Sequence, residues 1–286
     1  MINPLQPLIS GILIGSNYIL VALGLTVIFS IMNVLNFAHG EIYMIGAFCT
    51  YYFASILGVN YALSLIIAIV VTAILGYILE RVFFRPAKGD ILSGVLVATG
   101  LIWLFQTVGQ LIPALGKGPR GMSEVVSGTI TVMDFPVSKA RIVACLLSLF
   151  LLAITYIFVY RTKHGKAMQA VAQDRDAAAL QGIDINVIGP LGFIIGCALA
   201  GAAGGIMAPI LPIEATMGSS VLTTSLCIII LGGIGSIPGA AIGGIILGLV
   251  QSFGQVYLGY VSSIFPFVIL IGVLLFKRTG LMGRKM

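Results

Sequence analysis

Between Leu8 and Met32 the chain runs for 25 residues, LISGILIGSNYILVALGLTVIFSIM, without one charged side chain. Long runs of similar apolar character recur at Tyr61–Phe84, Ile91–Ile112, Ala140–Tyr160, Val187–Met207 and Ala241–Tyr260. About 18 to 20 such residues are enough to cross a hydrocarbon core roughly 30 Å thick. Inside that core every backbone N–H and C=O must be satisfied within the protein, which leaves helices or closed barrels. A barrel would read as short alternating segments, and these runs do not alternate. The expectation is an all-α polytopic membrane protein, with residues 1–286 forming a single transmembrane domain. Composition agrees: 8% of the residues are charged, against about 25% in a soluble domain.

Taken in order, Leu8–Met32 is the first span. The N-terminus has no basic n-region, and this first apolar run is longer than a signal peptide needs, so it reads as a retained span. Asn33–Glu41 (NVLNFAHGE) interrupts the apolar character, as a turn at the membrane edge or as an unwound break within it. A second span continues to about Leu57, and Tyr61–Phe84 is the third. RVFFRPAKGD (Arg81–Asp90) is a loop that Pro86 and Gly89 close to helix. After the fourth span, Pro113–Lys139 is the longest polar connection, and Ser127–Val137 within it has the look of a small hairpin. Ala140–Tyr160 and Val187–Met207 are spans five and six. Ala208–Ser220 is a connection carrying Glu214. Val221–Leu231 is a short apolar run, GGIGSIPGA (Gly232–Ala240) a tight turn, and Ala241–Tyr260 and Val261–Phe276 the last spans. Eight or nine membrane segments are expected. Gly192, Gly196, Ala200 and Gly204 recur every four residues, as they do where helix backbones approach closely.

Lys and Arg fix the expected orientation. Eleven of the 15 lie in Arg81–Asp90, in Arg161–Asn186 and in the tail from Lys277. Cytoplasmic flanks are enriched in these residues, so the handle Arg161–Asn186 and the C-terminus are placed in the cytoplasm and Pro113–Lys139 outside. The N-terminus falls outside if Asn33–Glu41 separates two spans. The net charge of +6 is accounted for by these flanks and is no sign of nucleic-acid binding. Cys49, Cys145, Cys197 and Cys227 all lie in apolar runs, with no metal-ligand spacing.

Enzyme signatures are missing from the sequence. There is no HExxH, GxSxG, dinucleotide fingerprint or P-loop, so hydrolysis of ATP, if the protein uses it, belongs to another chain. Two places stand out. The handle RTKHGKAMQAVAQDRDAAALQGIDIN holds seven of the 24 Lys, Arg, Asp and Glu residues. It is helix-prone from Lys166 to Leu180, with Gly182 placed as a stop, and longer than a turn requires. A soluble partner docked there would have a grip on the membrane part. The second place is Asn36, His39 and Glu41. Ionisable groups within a membrane are costly and point to function, although an acidic residue also suits the start of a helix. Glu214 reads either as a contact for an external protein or as a surface acid.

The handle contains Asp176-Ala177-Ala178-Ala179-Leu180-Gln181-Gly182, which resembles the E-A-A-x-x-x-G core of the coupling helix in ABC importer permeases, with Asp for Glu and without the usual I-x-L-P ending. Together with NFAHGEIYMIGAF (Asn36–Phe48) and LGGIGSIPGAAIGG (Leu231–Gly244), in that order, it resembles the branched-chain amino acid permease family of bacterial ABC importers over nearly the whole chain, nearest the shorter of its two paired permeases. The resemblance implies an inner-membrane permease with a second related permease, two ATPase subunits that use ATP and Mg, and an extracytoplasmic binding protein. This chain would bind no cofactor itself. Lys166, Arg175, Asp176, Ala177, Ala178 and Gly182 would form the coupling site, with the alanines in the ATPase groove. Asn36, His39 and Glu41 would flank the substrate path, and Glu214 would meet the binding protein. Urea and short-chain amide importers share the pattern. A self-contained secondary transporter or channel, with Glu41 and His39 as an ion site, is the reading from a different class.

Overall fold

The computed structural model describes residues 4–32, 34, 36–87, 91–111, 118–123, 126, 128–132, 135–277 and 280–282. Expectations placed on Asn33, Gly89, Lys117 and the last four residues lie outside the described residues.

The long apolar runs are helices: α1 (Leu5–Met32), α3 (Tyr61–Leu79), α4 (Ile91–Leu111), α5 (Lys139–Arg161), α8 (Ile185–Met207) and α10 (Ile237–Leu258). Among the described residues these six are long and apolar enough to cross a membrane, α3 together with its continuation to Phe84. Shorter helices are α2 (His39–Tyr51), α6 (Lys163–Gln173), α7 (Arg175–Leu180), α9 (Met217–Gly232) and α11 (Phe265–Phe276). π-Helical turns extend α2 over Tyr52–Ile56 and α3 over Glu80–Phe84. The chain is therefore an all-α, multi-pass membrane protein. Among the described residues α9 and α11 are shorter apolar helices beside these six.

Burial orders the bundle. In α1 and α8, 72% of the most apolar stretch is buried, against 22% in α4 and 28% in α5. The first pair is the centre and the second is the rim. Small residues make the centre possible. A Cβ on Gly24 would lie 2.6 Å from the Gly196 carbonyl oxygen, and one on Gly15 would lie 2.9 Å from that of Gly244. α1 thus touches α8 on one side and α10 on another, backbone to backbone, which is how helices gain dispersion contact where lipid removes the hydrophobic drive. The four-residue repeat on α8 faces α1 and α2: Gly192 meets Ile31, Gly196 meets Ile28 and Gly204 meets the Tyr43 backbone.

The connection between α4 and α5 contains the expected hairpin, β1 (Thr129–Val132) paired antiparallel with β2 (Phe135–Ser138). Arg120 and Ile213 exchange two backbone hydrogen bonds of 3.0 and 2.8 Å, tying this connection to the α8–α9 loop. Three sequence boundaries shift. α9 begins at Met217, four residues before the apolar run. GGIGSIPGA is divided: Gly233 and Gly235 take φ of +102° and +82° in the turn, while the Ser236 hydroxyl accepts the Gly239 N–H as the cap of α10. The start of the expected last span, from Val261, is a 3-10 turn, Gly259–Ile264, that leads into α11.

The basic segments gather at one end. Arg85 donates to the Asn186 carbonyl at 2.9 Å. Leu281 and Met282 donate their amides to Leu231 and Gly232 at the end of α9. Ser30, near the end of α1, reaches the Gly235 carbonyl at 3.4 Å.

Candidate functional site: the handle and the α2 entry

The handle folds as two helices. Thr162 has extended backbone and its hydroxyl accepts the Gly165 N–H, capping α6. Asp174 is also extended, at φ −153° and ψ 112°, and breaks the single helix that composition predicts. Its Oδ1 accepts the amides of Asp176 and Ala177 at 3.0 and 2.9 Å, so the residue that ends α6 caps α7. At the other end Ile183 N–H donates to the Ala178 carbonyl and Gly182 N–H to that of Ala179. With Gly182 at φ +82°, this is a Schellman stop, which a left-handed glycine permits.

The two helices sort their side chains by face. Met168, Val171 and Ala178 are buried with Val27, Ile31 and Ile188. Gln169 donates to the Val159 carbonyl at 2.6 Å, fixing α6 on α5. Lys166, Asp176, Ala177, Ala179 and Gly182 are exposed, Arg175 is half-buried, and Leu180 is 89% exposed. This corrects one expectation. Ala178 does not offer its side chain to a partner's groove; it is buried with the C-terminal end of α1 and the N-terminal end of α8. The outward apolar surface is Ala177, Ala179 and Leu180.

The α2 entry is built differently. α1 ends at Met32, yet His39 Nε2 lies 3.2 Å from the Val21 carbonyl and its ring packs on Gly24. Gly24 is eight residues back from Met32, about 12 Å along a helix. The chain doubles back beside α1 and starts α2 partway along it, so the interruption is a break within the bundle. Asn36 shapes the re-entry: its Oδ1 accepts the Ala38 N–H at 3.0 Å and its carbonyl accepts the His39 N–H. Gly40 then meets Gly218 at the start of α9, backbone to backbone.

Glu41 is 1% exposed. Its Oε1 accepts from Gln106 Nε2 of α4 at 2.8 Å, and the same nitrogen reaches Ser219 Oγ of α9 at 3.0 Å. Oε2 of Glu41, Nδ1 of His39 and Nδ2 of Asn36 are buried without a hydrogen-bond partner. The three residues do not converge. His39 points to α1, while Glu41, two positions on, points to α4 and α9. Gln106 and Ser219 were missed by the sequence reading; a Gln in an apolar run was the available signal. Glu80 was also missed. It is fully buried, and its Oε1 lies 3.3 Å from Arg85 Nε. Among the described residues no group of His, Cys, Asp or Glu forms a metal-ligand set, and the four cysteines are free.

Residues 8–274 match the family described as branched-chain amino acid transport system / permease component. The chain belongs to this family. Within it, the chain is 34% identical to the high-affinity branched-chain amino acid transport system permease protein LivH of Escherichia coli, over 98% of this chain and 96% of that one. It is 26% identical to the permease protein LivM of the same organism, over 77% of this chain and 57% of LivM. The permease therefore stands nearer the shorter of these two components. Among solved structures, PsaBC from Streptococcus pneumoniae in complex with Fab superposes with a TM-score of 0.51, covering 94% of this chain and 90% of that one. At 11% identity that likeness concerns the fold alone. As a permease component the chain works within a multi-component transport system, and it is a transport protein by family.

Glu214, expected at an external contact, is half-buried in the α8–α9 loop, next to the strand-like pairing of Ile213 with Arg120. It lies at the hairpin end, away from the handle.

Proposed function

We propose that this chain is one permease subunit of an ATP-driven importer of branched-chain amino acids in the bacterial cytoplasmic membrane, with the handle and C-terminus inside. A second, related permease completes the pathway. Two ATPase subunits bind and hydrolyse Mg–ATP, and an extracytoplasmic binding protein delivers substrate near Glu214 and the β1–β2 hairpin.

The observation that carries this reading is α7. A six-residue helix, capped at both ends, presents Ala177, Ala179 and a bare Leu180 to the exterior at the end of the molecule where the basic segments gather. An exposed apolar tip on the same short helix as the polar Arg175 and Asp176 suits a pocket on a soluble partner, since buried apolar anchors with a polar rim carry protein–protein affinity. Behind it, Ala178, Met168 and Val171 lie on Val27, Ile31 and Ile188. A displacement of α7 by the closing ATPases is delivered to the inner ends of α1 and α8, the two central helices. Such a push shifts the permease only if the two ATPase states differ in their contacts with α7.

The test is purification of the complex from native membranes, with and without Leu180→Asp. Loss of the ATPase subunits with retention of the second permease is the expected result. Retention of the ATPases, or uptake of leucine by this chain alone in proteoliposomes without ATP, overturns the proposal. Uptake of urea in preference to leucine by the intact complex would reassign the substrate.

A further inference from the structure

On α4, Thr99, Trp103, Gln106 and Gln110 recur at spacings of four, three and four and share one helical face. Thr99, Trp103 and Gln110 are exposed, and Gln106 is half-buried. On α9, Ser219 and Ser220 are exposed and Thr223 is half-buried. The two polar faces are contiguous, because Gln106 Nε2 bonds Ser219 Oγ at 3.0 Å. Beneath that bond lies the buried carboxylate of Glu41, with Oε1 held by Gln106 and Oε2 unpartnered.

Such a face is ill suited to lipid. Carboxamides on spanning helices are costly when they meet hydrocarbon without a partner. The Ser220 and Thr223 hydroxyls answer their own helix, donating to the Met217 and Ser219 carbonyls at 3.0 and 2.9 Å. Gln110 has no such recourse among the hydrogen bonds of the described residues. Elsewhere α4 exposes Leu92, Leu96, Leu104 and Leu111, and α5 exposes Leu146, Leu149, Phe150, Ile154, Tyr156 and Ile157 with no carboxamide among them; these are the surfaces suited to lipid.

We propose that the α4–α9 face is the wall of the translocation pathway, turned toward the second permease, and that Glu41 is the counter-charge for the ammonium group of a passing zwitterionic amino acid. Gln106 is the lid. Its single Nε2 is shared between Glu41 and Ser219, so one side-chain rotation releases both and opens the carboxylate to the path. The ammonium then supplies the donor that Oε2 lacks. Charge-assisted hydrogen bonds of this kind are the strong ones. A hydroxyl-lined wall lets the ligand move on because each group offers only a weak neutral contact. This rests on the importer reading.

Two measurements on the full complex, reconstituted with its binding protein and ATPases, test it. The first is labelling of Gln110→Cys and Thr223→Cys by a membrane-impermeant thiol reagent, with Phe150→Cys as the lipid-facing control. Labelling at Gln110 and Thr223 about tenfold faster than at Phe150, slowed by L-leucine in the presence of ATP, is expected; equal rates overturn the wall. The second is Glu41→Gln. Leucine uptake is expected to fall by about tenfold or more, the worth of one charge-assisted hydrogen bond, with binding-protein-stimulated ATP hydrolysis retained and partial recovery in Glu41→Asp. Normal uptake by Glu41→Gln overturns the counter-charge. If the unmodified complex does not transport leucine, the importer reading itself fails, which is a separate outcome. The thiol measurement stands even if Glu41→Gln does not accumulate.

Discussion

The handle and the α2 entry are both polar interruptions in an apolar chain, and they are solved in opposite ways. The handle satisfies its backbone locally. Thr162, Asp174 and Gly182 each act on amides or carbonyls within five residues in sequence, and only one face of α6 and α7 needs the rest of the protein. The α2 entry finds its partners at long range and leaves three buried polar atoms without one. His39 reaches back to Val21, Glu41 reaches 65 residues forward to Gln106, and Gly40 abuts Gly218. Water is available to the first region and withheld from the second. A polar group in water can be left to solvent, whereas a buried one depends on the fold for whatever partner it has. The handle is therefore built as a replaceable surface, and the α2 entry as a joint among three helices.

That contrast can be broken or sharpened by mutation. The largest effect is expected beside the handle, where Arg85 pairs with Glu80 and holds the start of α8. Arg85→Ala leaves a buried carboxylate without its ion partner and is expected to cost about 4 kcal/mol, read as a large drop in Tm of the detergent-solubilised protein. Gly40→Val comes next, at about 3 kcal/mol, because a side chain there meets the backbone of α9 and cannot be relieved by a rotamer change. Thermal unfolding monitored by size-exclusion chromatography checks it; a stable Gly40→Val protein would mean that α2 and α9 are looser than described. Ala178→Leu is expected to cost about 2 kcal/mol by overpacking against Val27 and Ile188, lowering Tm, whereas Ala177→Leu on the exposed face should leave Tm unchanged. Equal effects at the two positions would remove the division of α7 into inner and outer faces. Asp174→Ala is the smallest, about 1 kcal/mol, the usual worth of a helix cap. It should appear as faster amide exchange at Asp176 and Ala177 without a change at Glu41.

Much of the fold is legible in the sequence. The six long spans, the hairpin between spans four and five, and Gly182 as a stop follow from run length, alternation and turn chemistry. The misses share a physical cause. Asp174 is a handle charge and, standing before a new helical turn, also a cap. Ala178 shares a motif with Ala177, yet adjacent helical residues lie about 100° apart and only one of them faces the core. Gln106 and Ser219 carry no mark of their relation to Glu41.

By itself, then, the sequence determined that this chain lives in a membrane as a helical bundle, where its spans lie, and that one polar, cap-delimited segment stands outside the bundle. Those properties depend on hydrophobic length and on hydrogen bonds closed within a few residues. The tertiary structure alone decided that the chain re-enters beside α1 before α2, that Ala178 turns inward while Leu180 is bare, and that Glu41 answers to helices far along the chain. Each of these depends on how close two backbones come, and in this bundle that is set by pairs of glycines, such as Gly24 with Gly196 and Gly40 with Gly218, whose pairing is not encoded at either position alone.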